Sequence, residues 1–207
     1  MIRHILKATA IWLLQLLIQV IGAILGLFVV PLALLSPNDE YKTVTYKSDG
    51  ENEWWLRRLP DWARYWDNTI DGTLGDDNFR WAGRDIPFKL KNTSFLGQWW
   101  WMGIRNPFNY CKRFILSCDV RRSRVEKLVG QDYVRDDTNS TGWQFLRCGN
   151  YYTLYGVWRY GSSNRAFVIQ LGNKFDLQDN LKEYSPSQEY KYFKGVTFEI
   201  NPYKDIG

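Results

Sequence analysis

The residue types that most often carry catalysis are scarce in this chain. Its one histidine, His4, lies in the N-terminal segment, so a Ser-His-Asp or Cys-His site in the rest of the chain is excluded. No glycine-rich phosphate loop, nucleophile turn or dinucleotide fingerprint occurs. The carboxylate pairs Asp76-Asp77 and Asp136-Asp137 stand in polar stretches, where we expect solvated charge. The sequence therefore predicts a protein that is not an enzyme.

The sequence also offers no strong metal or cofactor motif. Cys111, Cys118 and Cys148 lack C-x-x-C spacing, which predicts either a reduced compartment or plain buried thiols. Residues 67–78 resemble a calcium loop, but Thr69 and Asn78 stand where an EF-hand needs ligands, so turns are expected there. The net charge of +5 is too small to indicate a nucleic-acid partner. We expect no metal, no cofactor and no nucleic acid.

One apolar segment dominates the sequence. Residues 8–35 carry no charge, and as a helix they would reach about 42 Å, more than the hydrocarbon thickness of a bilayer. Lipid offers no hydrogen bonds, so such a segment must be helical, and Pro31 is expected to bend or end it. The alternatives are a cleaved signal, for which the run is long, and a buried helix, which is rarely apolar all round. We predict a single membrane span.

The anchor also carries small and amide residues that could pair two copies. Gln15 and Gln19 stand one turn apart, and Gly22 and Gly26 form a G-x-x-x-G. These four residues predict a possible homo-oligomer through the anchor, although such residues are also common in single spans. Arg3 and Lys7 precede the anchor and favour a cytoplasmic N-terminus in an inner membrane. The opposite orientation stays open, because Lys42, Lys47, Arg57 and Arg58 follow the anchor closely and the odd number of cysteines favours it.

Aromatic residues make up 17% of the chain, including 11 Trp. Such rings fill protein cores, but they also collect at the headgroup level of membranes. Both interpretations are open, and the second predicts that part of the protein surface lies against the lipid headgroups. The residues assigned to this interface are Trp54, Trp55, Arg57, Arg58, Trp62, Trp66, Trp99, Trp100 and Trp101.

The remaining patterns predict an α+β fold: an N-terminal transmembrane helix, an aromatic-rich segment of short helices, and a small antiparallel β-meander. Strand-like runs occupy residues 143–148, 151–160, 165–171 and 192–200, and glycine-containing turns, including Gly172-Asn173, separate or follow them. The predicted segments are residues 1–35 (membrane anchor), 36–58 (linker and edge strand), 59–130 (Trp-rich, membrane-interfacial) and 131–207 (antiparallel β domain).

Three short motifs carry a resemblance to a known family. L-P-D-W-A-R-Y-W-D-N-T-I-D-G lies at residues 59–72, W-W-M-G-I-R-N-P-F-N at 100–109 and F-E-I-N-P-Y at 198–203. With the apolar N-terminus, they resemble a family of small uncharacterised membrane-anchored proteins of tailed bacteriophages and prophages. Ile70 replaces the leucine of the family's D-N-x-L-D-G motif, which is a conservative change. The resemblance implies a phage origin and a membrane location but no activity.

Three functions remain open at this stage. The first is a phage-encoded, membrane-anchored accessory protein that acts in the host envelope, with the lipid bilayer as its partner. The second is a virion or genome-ejection component, which would be found in purified particles. The third is an envelope glycan-binding protein or enzyme that uses clustered tryptophans as sugar platforms.

Overall fold

A computed structural model of the chain describes residues 1–36, 41–46, 52–57, 59–67, 95–136, 141–161, 163–185 and 191–206. Arg58 and the predicted turn segment after Asp67 lie outside the described residues, as does one member of the pair Asp136-Asp137. The side chains of Trp54, Trp55 and Arg57 also lie outside them. The described elements form an α+β fold with a long N-terminal apolar helix, short helices and a five-stranded antiparallel sheet, as the sequence predicts.

The N-terminal helix α1 extends from Ile2 to Leu35. The helix is apolar on nearly every side, because leucine, isoleucine and alanine dominate its sequence. Its backbone amides form hydrogen bonds within the helix. Pro31 does not end it, since the helix continues for another turn. A proline has no amide hydrogen to donate, so the carbonyl of Leu27, four residues earlier, needs another donor.

Short elements follow α1. Strands β1 (Tyr41–Tyr46) and β2 (Asn52–Arg57) pair antiparallel and lie within residues 36–58, where the sequence predicts a linker and an edge strand. Further along the chain lie a 3₁₀ helix (Asp61–Trp66), helix α2 (Phe95–Trp99), which continues as a π-helix (Trp100–Arg105), and a second π-helix (Cys111–Ile115). Asn106 terminates the first π-helix just before Pro107, because the residue that precedes a proline is restricted away from helical geometry.

The main sheet has the strand order β4-β5-β6-β7-β9. Its members are β4 (Val125–Gly130), β5 (Gly142–Cys148), β6 (Tyr151–Arg159), β7 (Arg165–Asn173) and β9 (Val196–Asp205). Strands β5, β6 and β7 confirm three of the predicted runs, and the fourth run, residues 192–200, is divided between the short strand Phe193–Lys194 and β9. The predicted turn at Gly172-Asn173 is wrong, because both residues belong to β7 and pair with β9. Two short strands, β3 (Cys118–Asp119) and β8 (Phe193–Lys194), form a separate ladder.

The chain divides into two compact units, and these divisions differ from the predicted segments. The first unit contains Met1–Leu17 and Lys112–Gly207, and the second contains Ile18–Cys111. Helix α1 therefore contributes its first half to the unit that holds the sheet. In this unit both faces of the sheet are covered, because Phe145 packs with Ala8 on one face, whereas Leu146 packs with Phe175 on the other. The second unit has a core of Val30, Ala33, Leu34, Leu59, Ala63 and Met102.

Candidate functional site

In the first unit, α1 is bound to the sheet by specific contacts. The indole of Trp12 meets the ring of Phe145 edge-on, at 6.2 Å between ring centres, and its Nε1 donates to the carbonyl of Tyr152 at 3.2 Å. The imidazole Nδ1 of His4 lies 3.2 Å from the hydroxyl of Tyr152. The lone histidine therefore packs in the unit that holds the sheet and contacts a tyrosine rather than a nucleophile.

Gln15 lies at the centre of a buried polar network in the same unit. Its Nε2 donates to the carbonyl of Leu116 at 3.3 Å and to Oδ1 of Asn173 at 3.2 Å. Asn173, which is fully buried, donates through Nδ2 to the carbonyls of Leu116 (2.9 Å) and Lys194 (3.0 Å). The amide that the sequence assigned to self-association thus has partners within its own chain.

In the second unit, aromatic rings cover the glycines of the G-x-x-x-G motif. A Cβ at Gly22 would overlap the ring of Phe108, and one at Gly26 would lie 2.7 Å from Cδ1 of Trp66. Nε1 of Trp66 donates to the carbonyl of Gly22 at 2.7 Å. The two glycines therefore allow rings of this chain to approach the helix backbone. Self-association through Gln15, Gln19, Gly22 and Gly26 stays a prediction, but the surface at both glycines is occupied within the chain.

The tryptophans predicted at the interface differ in their environments. Trp66, Trp99 and Trp101 are partly buried and pack against the core of the second unit, and Trp100 is partly buried beside Trp101. Trp62 is 54% exposed. Nε1 of Trp99 donates to the carbonyl of Leu27 at 3.3 Å, which supplies the donor that Pro31 cannot. The sequence did not reveal this role, because only the folded chain brings Trp99 beside Leu27.

Much of α1 remains uncovered in each unit. In the first unit the exposed large apolar side chains include Leu6, Leu13, Leu14 and Leu17. In the second unit they are Val20, Ile21, Ile24, Leu25, Leu27, Phe28, Leu32 and Leu35. Only 22% of the most apolar stretch of the helix is buried within the protein. By length and composition the helix is suited to cross a membrane, and a signal sequence near an N-terminus would show the same properties.

Two of the three cysteines line a cavity of about 380 Å³ in the first unit. Cys118 and Cys148 are both buried and free, and Phe114, Phe193 and Tyr151 form other parts of the wall. The Cys118 thiol hydrogen-bonds to Cys148, which raises the pKa of Cys118 and lowers that of Cys148. Within the described residues, no group of three His, Cys, Asp or Glu side chains is placed to bind a metal ion.

A second cavity of the same unit lies beside several ionised groups. It has a volume of about 210 Å³, and its lining includes Asp136, Tyr155 and Lys174. Burial tends to raise the pKa of Asp136, but the Lys204 ammonium at 2.7 Å and the Tyr155 hydroxyl together outweigh this and hold that pKa below its usual value. Burial raises the pKa of Tyr155, and the Asp136 carboxylate adds to the effect. Neither the cavity nor its charges were anticipated from the sequence, since its residues come from four separate segments.

Comparison with known proteins gives one match. No curated protein and no solved structure matches the chain. A family of unknown function, DUF7338, matches residues 3–207, which includes α1 and both compact units. The chain therefore belongs to the DUF7338 family.

Proposed function

We propose that this protein is a membrane-anchored accessory protein of a tailed bacteriophage or prophage, and that it acts in the host envelope without catalysing a reaction. Helix α1 would hold it in the inner membrane, with the N-terminus cytoplasmic and on the same side as the sheet that His4 and Trp12 contact. The bilayer would then be its principal partner. The phage origin is supported by the three motifs of the resemblance described above.

The observation that carries the membrane assignment is the sorting of side chains on the second half of α1. One face, with Gly22, Gly26 and Val30, is covered by the protein, whereas Ile24 and Phe28 on the other face are exposed. Ile24 is 55% exposed and Phe28 is 67% exposed. Exposing such a row of apolar side chains to water is unfavourable, whereas lipid acyl chains are themselves apolar and solvate these side chains at no such cost. Acyl chains are therefore the proposed occupant of this surface.

Fractionation of expressing cells tests the proposal. The full-length chain is expected in the membrane pellet and to resist extraction at alkaline pH, and protease added outside the inner membrane is expected to leave the sheet intact. Intact mass measurement of the mature product distinguishes an anchor from a signal sequence, since cleavage would remove residues 1–35. A monodisperse full-length protein in the aqueous fraction, without detergent, would refute the proposal.

A pair of variants tests the role of the exposed apolar surface. Ile24→Lys with Phe28→Lys places charges among the lipid-facing positions, at a cost of roughly 3 kcal/mol for each charged residue near the centre of a span. We expect a larger fraction of this variant to be extracted at alkaline pH. Leu181→Glu is the matched control, because Leu181 is 79% exposed outside the helix and should not affect extraction.

A further inference from the structure

The rest of the protein covers α1 along nearly its whole length. The buried and partly buried residues of α1 recur every three or four positions: His4, Ala8, Trp12 and Gln15 in the first unit, and Gly22, Gly26, Val30 and Ala33 in the second. On an α-helix the distance from His4 to Ala33 is about 44 Å. The other positions of α1 carry most of its exposed large apolar side chains. Whatever covers these residues must share the environment in which α1 lies.

The strands that cover the first half of α1 carry an ion pair on the same face. Arg147 lies directly across from Tyr152, whose hydroxyl contacts His4. Nη2 of Arg147 lies 2.9 Å from Oε2 of Glu126, and the Glu126 side chain is 52% exposed. An exposed carboxylate needs water around it, so the face of the sheet beside His4 belongs in water rather than in hydrocarbon.

The elements that cover the second half of α1 also carry exposed charges. The 3₁₀ helix packs on this half through Ala63 and Trp66. Arg64 stands between them and is exposed, as is Asp61 at the start of the same helix. The first π-helix lies beside the same half of α1 and ends at the exposed Arg105. Ionised side chains therefore stand on the outer surface of the elements that cover this half.

These charges conflict with a helix that crosses the bilayer. A crossing takes about 20 residues, and every stretch of that length in α1 includes covered positions of one unit or both. A crossing helix would carry the covering elements, with their ionised groups, into the hydrocarbon, where charged side chains are strongly disfavoured. A helix parallel to the membrane surface avoids this, because its covered side can face water while its exposed side faces lipid.

We propose that α1 lies in the plane of the membrane, inserted into the cytoplasmic leaflet, in place of the single span that its length and hydropathy predict. Exposed side chains such as Leu17, Ile24 and Phe28 contact the acyl chains of that leaflet, and the covered side faces the cytoplasm. One leaflet supplies about 15 Å of hydrocarbon, which accommodates a helix about 10–12 Å wide. Arg3 and Lys7, exposed at the start of α1, lie at the level of the lipid phosphates.

This orientation rests on the proposed membrane anchoring and specifies how the same apolar surface meets lipid. Nitroxide labels on Leu6→Cys, Leu17→Cys and Phe28→Cys test it, with the full-length protein in vesicles of phosphatidylethanolamine and phosphatidylglycerol. In the plane of the membrane the three labels are expected at depths that agree within about 5 Å. A crossing helix would separate Leu6 from Leu17 by about 16 Å along the membrane normal, and such graded depths would overturn the orientation. The protein without added cysteines gives the background, because its own three thiols are buried.

A membrane-impermeant maleimide added to spheroplasts gives an independent test. Ser36→Cys stands directly after the end of α1 and is expected to react only after lysis. Leu181→Cys is the matched control for the cytoplasmic side, since Leu181 is 79% exposed in the first unit. If Ser36→Cys reacts in intact spheroplasts while Leu181→Cys does not, α1 crosses the bilayer and the proposal is overturned. Reaction of Leu181→Cys in intact spheroplasts would overturn the assignment to the cytoplasmic leaflet. Loss of the protein from the membrane pellet would instead overturn the anchoring itself, so the two failures are distinguishable.

Discussion

Replacing Gln15 with leucine distinguishes a role inside the chain from a role between copies of it. Gln15 is 5% exposed, and its Nε2 is within hydrogen-bonding distance of Asn173 Oδ1 and the Leu116 carbonyl. Leucine has a similar size but donates no hydrogen bond. If the network within the chain determines the effect, the variant will be less stable without changing its oligomeric state.

The size of the effect follows from the groups that lose a partner. The Leu116 carbonyl keeps the hydrogen bond from Asn173 Nδ2 at 2.9 Å. Asn173 Oδ1 loses the donor from Gln15, and Asn173 is fully buried. An unsatisfied buried acceptor costs about 1–3 kcal/mol, so we expect the free energy of unfolding to fall by about 1–2 kcal/mol. Asn173→Leu should cost more, because it also removes the donors to Leu116 and Lys194.

The assay is unfolding of the full-length protein in detergent, followed by circular dichroism, together with light scattering for the oligomeric state. The double variant of Gln15 and Asn173 should lose less than the sum of the two single losses, with a coupling of about 0.5–3 kcal/mol. Gln178→Leu, at an exposed position of the same unit, is the control and should change stability by less than about 0.5 kcal/mol. A Gln15→Leu protein of native stability that has lost an oligomer would refute the reasoning.

Two further predictions concern other contacts. Trp99→Phe removes the donor to the Leu27 carbonyl and should lower stability by about 1 kcal/mol, and it should cost less in a Pro31→Ala background, where residue 31 regains an amide hydrogen. Equal costs in both backgrounds would argue against this role, and the same unfolding assay measures them. The pKa of Asp136 is lowered in the folded state, so its contribution to stability is present above the usual carboxyl pKa of about 3.9 and is lost as pH falls through the lowered value. Asp136→Asn should therefore lose less stability than the native protein on acidification through this range, and parallel curves would show that the pair with Lys204 contributes nothing.

The sequence predicted the elements whose signals are local. An uncharged run of this length predicts a helix, and α1 covers it completely. Alternating β-branched and aromatic residues predicted β5, β6 and β7 at nearly their observed bounds, whereas β9 begins and ends later than the predicted run 192–200. Strand β4 was not predicted, because its exposed charges Glu126 and Lys127 weaken the alternation and its pairing with β5 supplies the missing stabilisation.

The partners of side chains could not be predicted from spacing. Gln15, Gly22 and Gly26 share a pattern that also occurs in helices that pair between chains, and the pattern does not say whether the partner is a second helix or a distant part of the same chain. Asn173 lies 158 residues from Gln15, and no local signal connects them. The same applies to Tyr155 and Lys174, whose meeting at one cavity depends on how β6 and the segment after β7 pack.

The sequence by itself determined that this protein has one long apolar helix and an antiparallel sheet, because helix length, hydropathy and strand periodicity depend on residues close together in the chain. Only the tertiary structure decided which face of α1 is covered, which tryptophans pack against a core, and which polar groups of the sheet lack a partner. Those outcomes depend on contacts between residues far apart in sequence, where packing and the need to satisfy buried polar groups select one arrangement.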